Sequence, residues 1–184
     1  ELPEIIGLIL TYLTVIVIIN SFNLIDGVDG LAAGLGIFTT LTFGMYFYVA
    51  AHAEYAALAF AMCGSLLAFL IFNRSPARIF MGDTGSLLIG LINAILVVQF
   101  INIAGSPGAL VPFPASPAIA IAILIIPLFD TLRVFSIRIF NRRSPFSPDR
   151  NHIHHILLDR GMSHKAVSFV LIVVNIFFVA VAYL

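Results

Sequence analysis

"IIGLILTYLTVIVIINSFNLIDGVDGLAAG", residues 5–34, decides the fold. Its first part, about 5–22, carries no charge and is long enough, at ~1.5 Å per residue, to cross a hydrocarbon core of about 30 Å. Asn23, Asp26 and Asp29 then gather with Gly27 and Gly30 before a second apolar run opens at Leu31. A lone Asp at the bilayer centre costs about 2.5–3.5 kcal/mol on the insertion scale, so acids at a helix mouth are far cheaper than acids in mid-span. A span, a polar mouth and a second span are therefore predicted here.

The same pattern continues along the chain. Further apolar segments lie at about 31–50, 55–72, 86–104, 117–139 and 165–184, which makes six predicted spans. Hydrophobic residues make up 61% of the sequence and charged residues 10%, far below the ~25% of an average soluble domain. The runs do not alternate as barrel strands do. The expected class is all-α, a polytopic transmembrane helical bundle, with 1–184 forming one integral-membrane domain. A single cysteine, Cys63, excludes an internal disulfide framework and reads as a packing residue. There is no initiator Met, basic n-region or cleavage site at the start, and the last apolar run reaches Leu184. Both ends are expected to continue into a longer protein.

Charge is hoarded rather than spread. All nine Lys and Arg fall at Arg74, Arg78, Arg133, Arg138, Arg142, Arg143, Arg150, Arg160 and Lys165, in the third and fifth connections or the helix end leading into the fifth. The positive-inside rule puts connections one, three and five on the cytoplasmic side. Those are "NSFNLIDGVDG" (20–30), "NRSPARIFMGDTGS" (73–86) and the basic, histidine-bearing 140–164 connection with "NRRSPFSPDRNHIHHILLDRG". Acids and cations are thus expected to meet on one membrane face.

Each cluster admits a plain reading beside a chemical one. Asn23, Asp26 and Asp29 are spaced to share a helix face, and Asx side chains suit a hard cation such as Mg²⁺. The same residue types are default turn formers, and Asp29 could cap the next helix. Asp83 or Thr84 could cap the fourth span, or a carboxylate there could hold a cation that bridges to phosphate. In the fifth connection Pro145 and Pro148 break any helix, and a short amphipathic helix follows, with His152 and His155 as i, i+3 neighbours. Arg and His together suit a diphosphate or nucleotide; a basic loop that sets topology is the plain alternative. Asp130 and Arg133 read as an intramembrane ion pair or a pocket wall, on a helix kinked by Pro127. His52 and His164 read as incidental. Asn73, in "NRS", matches a glycosylation acceptor on the wrong side of the membrane.

Taken in order, "NSFNLIDGVDGLAAG", "FMGDTGSLLIG" and "SPFSPDRNHIHH" resemble the polyprenyl-phosphate N-acetylhexosamine-1-phosphate transferase family, most of all its WecA/TagO branch. The motifs run from residue 20 to about 161. The resemblance implies transfer of a sugar 1-phosphate, N-acetylglucosamine 1-phosphate or a related one, from a UDP-sugar to undecaprenyl or another polyprenyl phosphate. UMP is released and Mg²⁺ is required, with Mn²⁺ an alternative. It implies Asn23 and Asp83 as metal ligands and Asp26, Asp29, Asp83 and His152 as catalytic. Asn23, Arg150, His152, His154 and His155 would bind substrate. The setting it implies is the bacterial inner membrane, with the site on the cytoplasmic face, in the first membrane step of cell-envelope polysaccharide or teichoic acid synthesis. A homodimer is compatible with this reading, and nucleic acid is not an expected partner. One departure stands out: the family's adjacent Asp-Asp pair, N-terminal to these motifs, is absent from this sequence. The 184-residue chain is therefore expected to be inactive alone.

The chemistry is coherent. A phosphate monoester must attack a diphosphate that is itself negative, so cations that neutralise both lower the barrier. Two other classes compete. A transporter or ion pathway would want acids near mid-span, where only Asp130 stands. A lipid-binding scaffold gives no reason for acid-bearing connections to face the basic one.

Overall fold

The computed structural model describes residues 3–142, 144 and 151–183. Among these residues, eight helices follow in chain order: α1 Glu4–Ile25, α2 Leu31–Val49, α3 Ala53–Asn73, α4 Gly82–Ala104, α5 Ser116–Ile123, α6 Ile125–Phe140, α7 Ile153–Asp159 and α8 His164–Ala182. Five of them, α1, α2, α3, α4 and α8, are long and apolar enough to cross a membrane. The pair α5 and α6 makes a sixth span if counted as one. The all-α polytopic bundle expected from the sequence is what the chain forms.

The fifth predicted span, 117–139, is not one continuous helix. α5 and α6 meet at an angle of 82° across Leu124. Pro127 is the cause, but it acts upstream of itself. Proline has no N–H to give the carbonyl of residue i−4, and its ring presses on that carbonyl. Here that carbonyl belongs to Ile123, and the break falls directly after it. In hydrocarbon, freed backbone groups need other partners. Asn175, fully buried in the middle of α8, supplies them: its Nδ2 donates to Ile123 O at 2.9 Å and its Oδ1 accepts from Ile126 N at 3.2 Å.

α2 is the central helix, packed along α3 and against α4 and α8. Its small residues Ala32, Ala33 and Gly34 let neighbours approach closely, and Leu31, Leu35, Phe43 and Phe47 fill the core. α1 lies along α4 so tightly that a Cβ on Gly90 would fall 2.6 Å from Ile19 Cα. The outer face of α1 keeps Ile5, Leu8 and Tyr12 exposed, as a lipid-facing helix does. At one end of the bundle Tyr46, Phe100 and Phe113 form an aromatic cluster. Tyr46 OH donates to Val111 O at 3.2 Å, tying down the non-helical 105–115 stretch between α4 and α5.

At the other end the connections are stitched together. Asn73 Oδ1 accepts from Gly30 N at 3.0 Å, while its Nδ2 donates to Ile79 O at 2.9 Å. This asparagine is 5% exposed, so the "NRS" match marks an internal clasp between the first and third connections.

Candidate active site

α1 stops at Ile25 and Asp26 takes the position after it, its N–H reaching Asn23 O at 3.4 Å. The chain then turns through Gly30, whose φ of 77° is left-handed, before α2 begins. Asp29 does not cap α2, although the sequence allowed it. Its carboxylate accepts from Ala77 N at 3.2 Å and lies 3.5 Å from His164 Nδ1. Its carbonyl accepts from Ser168 Oγ at 2.8 Å. His164 is therefore not incidental: with Ser168 it pins the start of α8 to the first connection, and Asp29 is the shared anchor.

Asp83 sits in the first turn of α4, and no side chain caps that helix. Asn23 Nδ2 donates to Asp83 Oδ1 at 3.0 Å and also to Ser86 Oγ at 3.0 Å. Ser86 in turn donates to Gly82 O, so the pair is held in place from the α4 side. Asp26 feels the same neighbour. Its partial burial, and then the charge of Asp83, push its carboxyl up to about 6. Two carboxylates and an amide thus gather where α1 ends and α4 begins.

The histidine segment docks on this acid loop. His154 is 1% exposed and its Nε2 lies over Gly27 so closely that a Cβ there would collide with it. Its Nδ1 is buried with no hydrogen-bond partner among the described residues. Burial, then the neighbouring His155, lower its imidazole to about 4, so it is neutral at pH 7. The rings of His152 and His154 stack at 5.5 Å, and those of His154 and His155 lie 4.3 Å apart. The contact along this segment is thus in part His152 on His154, because His152 precedes α7 in an extended conformation.

Asp130 holds that arrangement. Its carboxylate accepts from Ile153 N, from His152 Nδ1 and from Arg133 Nη2, each at 2.9 Å. Arg133 also donates to Asn151 O. The pair is an ion pair, as the sequence suggested, but it is also the mooring of the whole α7 start. Arg150, expected to bind substrate, lies outside the described residues.

Beside the acid loop lies a cavity of about 180 Å³ lined by Asp26, Asp29, Asn73, Phe80, Met81 and His164. The structure thus brings together Asn23, Asp26 and Asp83, with His154 seated on the adjoining Gly27. Asp29 and His152 stand beside them in supporting contacts. No group of three His, Cys, Asp or Glu among the described residues is placed to hold a metal unaided. Two carboxylates with an amide suit Mg²⁺, which ordinarily takes one or two carboxylates and completes its shell with water and phosphate oxygens. Asn73, His164 and Ser168 were missed as site-building residues. Asp130 was noticed in the sequence but not joined to the histidines.

A family model described as Glycosyl transferase family 4 matches residues 1–101. A probable undecaprenyl-phosphate N-acetylglucosaminyl 1-phosphate transferase of Bacillus subtilis (strain 168) is 38% identical over 169 residues, covering 92% of this chain and 45% of the relative. The undecaprenyl-phosphate alpha-N-acetylglucosaminyl 1-phosphate transferase of Escherichia coli (strain K12) is 36% identical over 170 residues, covering 90% and 44%. A decaprenyl-phosphate N-acetylglucosaminephosphotransferase of Mycobacterium tuberculosis (strain ATCC 25618 / H37Rv) is 36% identical over 181 residues, again covering 90% and 44%. The chain spans a little under half the length of these curated relatives. With the matched region covering more than half of its residues and including the whole acid loop and Asp83, the chain belongs to glycosyl transferase family 4.

Proposed function

We propose that this chain carries a large part of the catalytic centre of a phosphoglycosyl transferase. The enzyme moves N-acetylglucosamine 1-phosphate from its UDP-sugar to a polyprenyl phosphate of the undecaprenyl class, at the cytoplasmic face of a bacterial inner membrane. The observation that carries the reading is the meeting of three connections on one face, with Asn23 bonded to Asp83 and His154 seated on Gly27. The relatives' names point to the same acceptor and the same sugar phosphate.

In the proposed reaction an oxygen of the lipid phosphate attacks the sugar-bearing phosphorus of the UDP-sugar. A new P–O bond forms, the bridging P–O bond breaks, and UMP leaves with the bridging oxygen and its electron pair. Asp26 and Asp83, with Asn23, would hold Mg²⁺ or Mn²⁺, which supplies positive charge to diphosphate oxygens. Asn23 turns its amide nitrogen toward Asp83, so cation uptake would exchange that hydrogen bond for the amide oxygen. His152, fixed by Asp130, and His155 border the phosphate side. Neutral His154 contributes packing and orientation rather than charge. An apolar groove of about 460 Å³ between α1, α4 and the α5–α6 pair suits the lipid tail; it includes Leu10, Val17, Ile121 and Phe129 and reaches Leu132, two residues from Asp130.

The test is UMP release from UDP-N-acetylglucosamine by membranes holding the full-length protein, with and without Mg²⁺. Asp83→Asn is expected to abolish release while the protein still inserts at normal abundance. Wild-type-like turnover by that variant refutes the assignment. The isolated 184-residue chain, which has no adjacent Asp-Asp pair, is expected to release no UMP.

A further inference from the structure

A large open cavity lies outside the acid and histidine cluster. It measures about 690 Å³ and is lined by Ile71, Phe72, Arg74, Arg78 and Lys165, with the Ser75-Pro76 turn between them. Its cations come from two distant parts of the chain, the turn after α3 and the first residues of α8. None of Arg74, Arg78 and Lys165 has an ion pair among the described residues, and all three are exposed. Asp29, whose carboxylate accepts from Ala77 N next to Arg78 in sequence, does not line the cavity and is committed to that amide and to His164.

The apolar lining settles what kind of anion fits. Ile71 and Phe72 close the last turn of the spanning helix α3, 64% and 48% exposed. On α8, Phe169 lies one turn deeper than Lys165 and is 69% exposed. Both helices therefore present a cation where they leave the apolar zone and a bare hydrocarbon surface just below it. A soluble anion would use the cations and leave that surface unpaired; an anionic phospholipid uses both. We propose that this pocket is a binding site for the phosphate headgroup of an anionic diacyl phospholipid, whose acyl chains run along Ile71, Phe72 and Phe169. The proposal rests on the membrane-spanning architecture and is independent of the transfer reaction.

The test titrates phosphatidylglycerol into the full-length protein in neutral detergent and reads retained lipid by native mass spectrometry. Phosphatidylcholine and glycerol 3-phosphate form separate arms. Phosphatidylglycerol should be retained, phosphatidylcholine about tenfold less tightly, and glycerol 3-phosphate at equal concentration should displace neither. At about fivefold per cation near an anionic headgroup, Arg78→Gln with Lys165→Gln should weaken phosphatidylglycerol binding on the order of 25-fold. The charge-matched pair Arg142→Gln with Arg160→Gln, at exposed positions outside the pocket, should change it less than about twofold. Equal losses in both pairs overturn the proposal in favour of a diffuse surface potential. Full displacement by glycerol 3-phosphate overturns it in favour of a soluble-phosphate site. Should the glutamine pair fail to fold, Arg78→Lys with Lys165→Arg keeps the charges and must keep binding within about threefold, and loss there also overturns it.

Discussion

Asp130→Asn isolates the mooring of the histidine segment. The native carboxylate, 3% exposed, accepts three bonds at 2.9 Å from Arg133, His152 and Ile153. An amide of the same shape can keep its oxygen for Arg133 and Ile153, but it turns NH₂ toward His152 Nδ1, which must give up its proton to accept, and it leaves Arg133 without its counter-charge. Hydrogen bonds to charged groups are worth about 1.5–3 kcal/mol each, and breaking a buried ion pair costs about 3–5 kcal/mol. Because the Arg133 side chain is 23% exposed and water takes up part of its charge, the lower end, about 3 kcal/mol, applies. At 1.36 kcal/mol per factor of ten that is roughly a 150-fold shift toward the undocked segment. Hydrogen exchange on the full-length protein should therefore speed up by about two orders of magnitude at the amides of Ile153, Ile156 and Arg160, while α8 keeps its protection. UMP release should fall with it. Exchange within about threefold of wild type at those amides would refute the argument, and equal acceleration in α8 would show general loosening instead of local release.

Three other outcomes follow from the same geometry. Asn175→Leu strips the partners from Ile123 O and Ile126 N; at about 0.6–1.7 kcal/mol per intramembrane hydrogen bond, a thermal-unfolding series should show destabilisation of about 1–3 kcal/mol, with Asn175→Ala similar. Gly27→Ala drives a methyl into His154 and should lower UMP release at least about tenfold, with partial rescue when His154→Ala is added; a neutral Gly27→Ala would mean the histidine does not sit there during turnover. For the metal-free protein the pH dependence has two limbs. The raised Asp26 carboxyl binds its proton more tightly folded than unfolded, so stability falls as pH rises from about 4 to about 6. The lowered His154 binds its proton less tightly when folded, so stability is lost as pH falls from 6.5 toward about 4. Asp83→Asn should weaken the first limb, and His154→Gln should remove the second; denaturant midpoints across that range measure both.

Most of the bundle was legible because spans announce themselves by length and lack of charge. Predicted runs at 31–50 and 86–104 became Leu31–Val49 and Gly82–Ala104. The break at Leu124 was not legible at its true place, since Ile123-Leu124-Ile125 reads as unbroken apolar sequence and the compensating amide stands 52 residues away from Ile123. The acid cluster could be read from Asn23, Asp26 and Asp83, because oxygen donors beside glycines at two span ends narrow the chemistry. Asp130 hid its second role because Arg133, three residues on, already accounted for its charge. His164 looked idle for a similar reason: its partner Asp29 is 135 residues upstream, and nothing local hints at the pairing.

The long reach of those two contacts bears on biogenesis. Gly27 and Asp29 leave the ribosome first, and His154, His164 and Ser168 follow only after more than a hundred further residues. Until α7 and α8 have been made, a nascent chain therefore shows its carboxylate loop without the imidazole cover. The pocket is completed only once α7 and α8 are both in place, and truncation before α7 leaves it open rather than merely shortened.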